Sequence, residues 1–178
     1  MNLISNHKLY SEIVAHLENK SRQVRWNYII RPKLHPGETL LDRPNLAKRG
    51  NVAVAELVLK NGERFEGAAT SKKKPVNMPG TKNGPEPIFG PHEDRSKTDH
   101  EGYYKLNTTD PEYKILNIFA SQLRNHCEKM QTQIVDLEGA LYLYTERFIC
   151  SGCEESIRDF EDMFPKINIF VFWGEEYP

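Results

Sequence analysis

The 178-residue chain lacks any long hydrophobic run, any marked excess of charge of one sign, and the dense cysteine content of small secreted domains. Without such a run we expect no membrane span, and Met1 is followed by a polar stretch rather than by a signal-peptide pattern. With a formal net charge of −1, the chain as a whole does not attract the negative charge of nucleic acid. Binding of nucleic acid would therefore need a local basic patch. The three cysteines, two of them closely spaced, favour free thiols or a metal over disulfides.

A hydrophobic content of 38% is enough for one globular domain with a core. We predict an N-terminal extension over residues 1–50 that contains a short helix from Leu9 to Leu17, followed by the main domain over residues 51–178. The extension is indicated by residues 22–49, which hold three prolines and show no regular period.

Apolar runs and their spacing predict an α/β fold. Val52 to Leu59 and Arg64 to Ala69 flank Asn61-Gly62, a dipeptide typical of two-residue hairpin turns. Further patterns predict strands over Ala140–Thr145 and Ile167–Trp173 and helices over Asp110–Met130 and Cys150–Phe164. Because a helix joins the last two strands, they should be parallel. We expect a three-layer α/β/α sandwich with a mixed sheet of four to five strands.

Residues 71–105 are rich in Pro, Gly and Lys and have no period, which predicts a long basic loop. Lys73 and Lys74 in this loop could follow a phosphate backbone, although a charge run is more often a solvated surface. Tyr103 and Tyr104 could stack on a base or anchor the end of the loop. His100 could contact a substrate or have no special role.

Cys150-Ser-Gly-Cys153 lies between a predicted strand and the start of a predicted helix. Two thiols at this spacing can reach one metal ion, and the partial positive charge of a helix N-terminus favours thiolates. Two small core residues near a helix start would give the same pattern, so both interpretations stay open.

Asp110-Pro111-Glu112 opens the preceding predicted helix. If both helices pack on one face of the sheet, Asp110 can supply a third ligand and Glu112 can transfer protons beside the metal. Helix capping explains the same residues without chemistry, because Asp is a good N-cap, Pro a favoured first residue, and Glu suits the helix dipole.

In this order the motifs resemble the cytidine-deaminase-like superfamily of nucleotide and nucleic-acid deaminases, and within it the branch from bacterial polymorphic toxins. The resemblance covers residues 51–173. The segments that carry it are Asp110-Pro-Glu-Tyr-Lys-Ile-Leu, Tyr144-Thr-Glu-Arg, Cys150-Ser-Gly-Cys and Phe160 to Val171.

The resemblance implies a catalytic domain over residues 51–178 that uses zinc to convert cytosine to uracil in single-stranded DNA or RNA. It makes Asp110, Cys150 and Cys153 the zinc ligands. Glu112 would carry protons from water to the ring nitrogen and then to the leaving ammonia. We add Thr145 to the candidate substrate contacts. A toxin domain of this kind implies synthesis in the bacterial cytoplasm, delivery to the cytoplasm of a target cell, and an immunity protein as partner.

Three features depart from the superfamily pattern. Asp110 stands where the superfamily usually has His or Cys. Asp at this position is the form associated with the toxin branch. Ile149 stands where Pro usually precedes the first cysteine. No strand pattern follows Trp173, so a fifth strand is missing or comes from elsewhere in the chain.

Other interpretations stay open. His126-Cys127-Glu128 also reads as His-x-Glu before the cysteine pair, but it needs a helix that begins near His126. The chain could instead deaminate free nucleosides or nucleotides. It could also be a non-catalytic binding module with a structural zinc, which would need a fourth protein ligand such as His100.

Overall fold

The computed structural model describes residues 2–3, 10–71 and 87–175. The helices and strands of this part of the chain are β1 Asn2–Leu3, α1 Ser11–Arg25, β2 Val52–Leu59, β3 Arg64–Thr70, β4 Glu93–Thr98, β5 Tyr104–Leu106, α2 Pro111–Met130, β6 Gly139–Arg147, α3 Ser151–Met163 and β7 Ile167–Glu175. Short 3-10 and π-helical turns lie between them. None of the helices in the described residues has the length and apolar character that a membrane crossing requires.

Five strands form one sheet in the order β1-β7-β6-β2-β3. β2 runs antiparallel to both β3 and β6, whereas β6 and β7 are parallel and joined by α3. β6 lies at the centre of the sheet, as its continuous apolar run indicates. The mixed sheet is therefore confirmed.

Alternation along β2 divides the core between the two faces of the sheet. Ala53, Ala55 and Leu57 pack with α2 and α3, whereas Val52 and Val54 pack with α1 on the opposite face. Each large apolar side chain buried in these layers stabilises the fold by about 1.5–3 kcal/mol. Helices cover both faces, which confirms the predicted α/β/α sandwich.

The fifth strand comes from the start of the chain. Asn2 and Leu3 of β1 pair in parallel with Phe170 and Val171 of β7. A strand of two residues has no period, so no sequence pattern predicts it. The superfamily pattern has a fifth strand beside the last one, and no strand pattern after Trp173 supplies it. β1 takes that place in the sheet.

Part of the segment predicted as a loop is a small hairpin. β4 and β5 pair antiparallel within residues 93–106. The backbone N–H of Arg95 donates to the Ser151 hydroxyl at 2.9 Å, which holds the hairpin against the start of α3. β4 reads Glu-Asp-Arg-Ser-Lys-Thr and has no apolar alternation, so its strand depends on pairing. Residues 72–86, which include Lys73 and Lys74, lie outside the described residues.

α1 extends further than the predicted helix. Its buried residues Val14 and Leu17 pack with Tyr144 and Phe172 of the sheet. Beyond Leu17 the helix is polar except for Val24, which packs against the same apolar cluster, and it continues to Arg25 through contacts with distant parts of the chain. The domain boundary after residue 50 stays a prediction.

Arg25 joins α1 to the segment that precedes β2. Its Nε donates to Glu146 Oε1 at 2.6 Å, and Nη2 donates to the other carboxylate oxygen. Nη1 donates to the carbonyl oxygens of Ala47 and Arg49 at 2.8 and 3.0 Å. Glu146 also accepts from the backbone N–H of Val52 at 3.1 Å. One guanidinium thus ties the extension to the start of β2 and the end of β6.

We expect Arg25→Met to lower the free energy of unfolding by about 2–3 kcal/mol, because Glu146 would stay mostly buried without its partner. Arg22→Met is the matched control on the same helix. The Arg22 side chain is 72% exposed and forms an ion pair with Glu18, one turn earlier on the same helix. Its substitution should lower the free energy of unfolding by about 0.5 kcal/mol or less. Urea unfolding measures both values. Equal losses would show that Arg25 does not tie these segments together.

Candidate metal centre and active site

Asp110 directs its side chain away from the helix that it precedes. Its backbone is extended, with φ −73° and ψ 138°, and Pro111 is the first residue of α2. The carboxylate makes no capping hydrogen bond. Instead, Oδ2 lies 3.3 Å from Sγ of Cys150 and 3.6 Å from Sγ of Cys153. Capping therefore does not explain the position of this carboxylate.

The two cysteines lie at the start of α3. The carbonyl oxygen of Cys150 accepts hydrogen bonds from the backbone N–H groups of Cys153 and Glu154, both at 3.0 Å, which closes the first helical turn. This turn brings both sulfurs to Asp110. Between them, a Cβ at Gly152 would lie 3.0 Å from the carbonyl oxygen of His92, just before β4. A side chain at this position would therefore crowd the backbone of the hairpin, which packs closely on the site.

Asp110, Cys150 and Cys153 form a group whose possible ligand atoms all lie within 4.8 Å of one another. It is the one group of this kind found among the described residues. A carboxylate oxygen and two sulfurs are donors that zinc accepts, and three protein ligands with one open position are typical of catalytic zinc sites. The residues present therefore fit a zinc ion.

Glu112 is 2% exposed and lies beside this group. Its Oε2 is 3.7 Å from Sγ of Cys153. Its Oε1 accepts hydrogen bonds from the Thr145 hydroxyl and, at 3.0 Å, from Nδ2 of Asn51. Burial raises the pKa of Glu112; the hydrogen bond from Thr145 opposes this rise and the charge of Asp110 adds to it. A carboxyl group with a raised pKa is suited to accept and return a proton.

The thiol of Cys153 also has a raised pKa. The main cause is its contact with the Cys150 side chain, followed by burial and by the nearby carboxylates of Glu112 and Asp110. In ionised form these acidic groups repel one another in a small volume. A divalent cation would offset this repulsion and favour the ionised forms, because it binds thiolates and carboxylates as ligands. The electrostatics of the group therefore favour a cation.

A pocket of about 110 Å³ opens onto the group. Its lining consists of Gly50, Asn51, Ser71, Lys97, Asp110, Glu112, Arg147, Phe148 and Cys150. This volume is below the roughly 300–1,000 Å³ of ordinary small-molecule sites. The pocket therefore suits one small ring, with the rest of a larger ligand outside.

A family model for toxin deaminases, described as the BURPS668_1122 family of deaminases, matches residues 41–174. The chain belongs to this family. The match includes both helix-start motifs and confirms the resemblance to toxin deaminases of the cytidine-deaminase-like superfamily. The chain is thus a deaminase toxin domain, an enzyme that removes an amino group by hydrolysis. No curated protein matches it.

The alternative His-x-Glu motif of this toxin deaminase lies far from the cysteine pair. α2 is continuous from Pro111 to Met130, so no helix begins at His126. At 1.5 Å per residue, His126 lies about 24 Å along the helix from Asp110. Its Nδ1 is 3.4 Å from Glu63 Oε2, and Cys127 is in the core. The alternative assignment is therefore wrong.

The structure brings one further predicted substrate contact, Thr145, to the site. Thr145 is fully buried and contacts Glu112 instead of lining the pocket. His100, Tyr103 and Tyr104 lie in the turn and second strand of the β4–β5 hairpin, are largely exposed, and do not line the pocket. A substrate contact by these three residues stays a prediction.

Sequence reasoning missed Asn51, Arg147 and Phe148. Asn51 directly precedes β2, and Arg147 ends β6, the antiparallel neighbour of β2. Residues at the start of one antiparallel strand and the end of the next meet at one edge of the sheet. Their position at these strand ends was the one signal that the sequence offered. Binding groups commonly lie where strand ends and helix N-termini meet.

Proposed function

We propose that this toxin deaminase uses zinc to convert cytosine to uracil in nucleic acid, in single-stranded DNA or RNA. The observation that carries the proposal is the group formed by Asp110, Cys150 and Cys153, with the Glu112 carboxylate beside it at the wall of a ring-sized pocket. Hydrolysis of a ring amine requires an activated water, a proton-transfer group and a pocket for a single base.

Zinc held by Asp110, Cys150 and Cys153 would supply an activated water for attack on the ring carbon that bears the amino group. Glu112 takes a proton from this water at Oε2, because Oε1 already accepts two hydrogen bonds. It gives this proton to the ring nitrogen and transfers a second proton from the attacking oxygen to the amino group. The carbon–nitrogen bond then breaks, ammonia leaves, and the ring carbon keeps a carbonyl oxygen.

The basic residues Lys97 and Arg147 in the pocket lining support a polynucleotide substrate. Nη2 of Arg147 donates to the carbonyl oxygen of Lys48 at 3.1 Å, so a third basic residue, distant in the sequence, lies beside Arg147 in space. With one base in the pocket, the flanking phosphates would lie outside it, where cations stabilise them. A free nucleoside has no flanking phosphates, so it is the second candidate substrate.

His100 bears on the alternative of a structural zinc. A structural site needs four protein ligands, whereas a catalytic site keeps one position open. The His100 side chain is 89% exposed and lies 3.7 Å from the carboxylate of Glu101. It does not belong to the group around Asp110. This placement favours a catalytic site over a non-catalytic binding module.

The proposal also includes an immunity protein and action in the cytoplasm of a target cell. A nucleic-acid deaminase would damage the genome or transcripts of the cell that makes it, so the producing cell needs an inhibitor. Sequencing DNA and RNA from cells that express the domain would reveal C-to-T changes, and their disappearance on coexpression of a neighbouring gene product would identify that inhibitor.

Purified protein is expected to contain about one zinc per chain and to convert cytosine to uracil in single-stranded oligonucleotides. Single-stranded DNA, single-stranded RNA, duplex DNA and free cytidine, compared at equal cytosine concentration, would define the substrate. Chelation should abolish the activity, and added zinc should restore it. Folded protein without zinc would contradict the metal assignment. A higher kcat/KM for free cytidine than for any oligonucleotide would favour the second candidate substrate.

A further inference from the structure

Asn51 and Thr145 form a cradle of two donors around one oxygen of Glu112. Thr145 lies fully buried on β6, and its hydroxyl donates to Glu112 Oε1. Nδ2 of Asn51 donates to the same Oε1 at 3.0 Å and to the Thr145 hydroxyl oxygen at 3.0 Å. Because the hydroxyl accepts from Asn51, its own proton is directed to the carboxylate.

The orientation of the Asn51 amide follows from this network. With the amide reversed, its oxygen would face the Glu112 carboxylate, and both donated hydrogen bonds would be lost. In the observed orientation Oδ1 is buried and has no hydrogen-bond partner among the described residues. A buried amide that serves only the fold normally has both ends satisfied. Asn51 instead directs its NH2 group to Glu112 and Thr145.

The cradle makes the two oxygens of Glu112 unequal. Oε1 accepts two hydrogen bonds, whereas Oε2 faces the metal-binding group, 3.7 Å from Cys153 Sγ. Efficient proton transfer requires one oxygen to be held at the reacting atoms with its lone pairs available. We propose that Asn51 and Thr145 are positioning residues that fix Glu112 with Oε2 toward the reacting atoms. The inference rests on the proposed catalytic role of Glu112.

Asn51→Ala and Thr145→Val should each lower kcat about 10- to 100-fold, the usual effect of removing a group that orients a catalytic or metal-binding side chain. KM should stay within about twofold and zinc content should not change, because both residues act through Glu112. Thr145→Ser restores the hydroxyl and should recover most of the activity lost in Thr145→Val. Asn168→Ala, at an exposed position on β7, is the matched control and should have wild-type kinetics. An increase in KM with unchanged kcat would overturn the proposal.

A double-mutant cycle separates positioning from a general structural effect. In the Glu112→Gln background, Asn51→Ala should lower kcat less than about threefold. The reason is that Asn51 acts through the Glu112 carboxylate, which this background already lacks. The same loss in both backgrounds would show that Asn51 acts independently of Glu112 and would overturn the proposal.

Crystal structures of the zinc-loaded variants give a readout that does not depend on turnover. In Asn51→Ala and Thr145→Val the Glu112 carboxylate should rotate or occupy more than one position. If the carboxylate keeps its position in both variants, Asn51 and Thr145 do not position Glu112 and the proposal is overturned. If the wild-type protein is inactive on every nucleic acid and nucleoside, the proposed function fails, and these structures still decide whether the cradle holds Glu112.

Discussion

Glu112→Gln is expected to lower kcat for deamination about 10²- to 10⁴-fold, the range attributed to a positioned general acid or base. Gln matches the size of Glu, and its oxygen can still accept hydrogen bonds from Thr145 and Asn51. Its amide cannot take a proton from water or return one to the leaving amine. Stopped assays on a cytosine-containing oligonucleotide would measure the loss, with zinc content and urea unfolding measured on the same preparation.

Glu128→Gln is the matched control for this prediction. Glu128 lies on the same helix, is exposed, and belongs to the alternative His-x-Glu motif. Its substitution should leave kcat, KM and zinc content at wild-type values. Substantial activity in Glu112→Gln, or loss of activity in Glu128→Gln, would show that the wrong end of α2 is assigned to the chemistry.

The main helices and the four longer strands of the sheet could be predicted because each carries a strong pattern of its own. α2 has an apolar stripe at helical spacing, and β2 and β3 flank the turn-forming Asn61-Gly62. Each pattern reflects burial against a face of the sheet. Local sequence and tertiary packing therefore specify the same structure in these elements.

Other elements could not be predicted because tertiary contacts specify them. β4 is a polar hexapeptide that becomes a strand only by pairing with β5 and packing near Gly152. β1 is two residues long and depends on the edge of β7. The later turns of α1 are mostly polar, and Arg25 holds their end through contacts far away in the sequence.

The site shows the same limit at the level of single side chains. A capping Asp and a ligating Asp look alike in sequence, and only the direction of the Asp110 carboxylate, toward the cysteines, separates them. Thr145 lies in a segment that resembles the family, but its contact with Glu112 depends on the register between β2 and β6. Asn51 precedes an apolar strand, and its position at the start of that strand is its only signal in the sequence. Sequence could thus predict that Asp110, Cys150 and Cys153 lie together, but not the contacts of Asn51 and Thr145 with Glu112.

Asp110→Ser is expected to abolish stoichiometric zinc binding while leaving the helix start intact. Serine is as good an N-cap as aspartate, so the substitution preserves any capping contribution and removes the carboxylate ligand. At zinc concentrations about 100-fold above the wild-type Kd, zinc should stabilise the wild-type protein by about 2.7 kcal/mol and the variant by almost nothing. Metal analysis and urea unfolding with and without chelator would measure both effects.

Three further substitutions sharpen the test of the metal centre. Cys153→Ser should lose zinc in the same way, because it removes a thiolate from the group within 4.8 Å. Cys127→Ala should keep its zinc, since Cys127 lies near the end of α2 in the core. Asp110→His introduces the ligand more usual in the superfamily and should retain zinc. If Asp110→Ser instead binds zinc as tightly as the wild type, the carboxylate is not a ligand and the third ligand lies elsewhere.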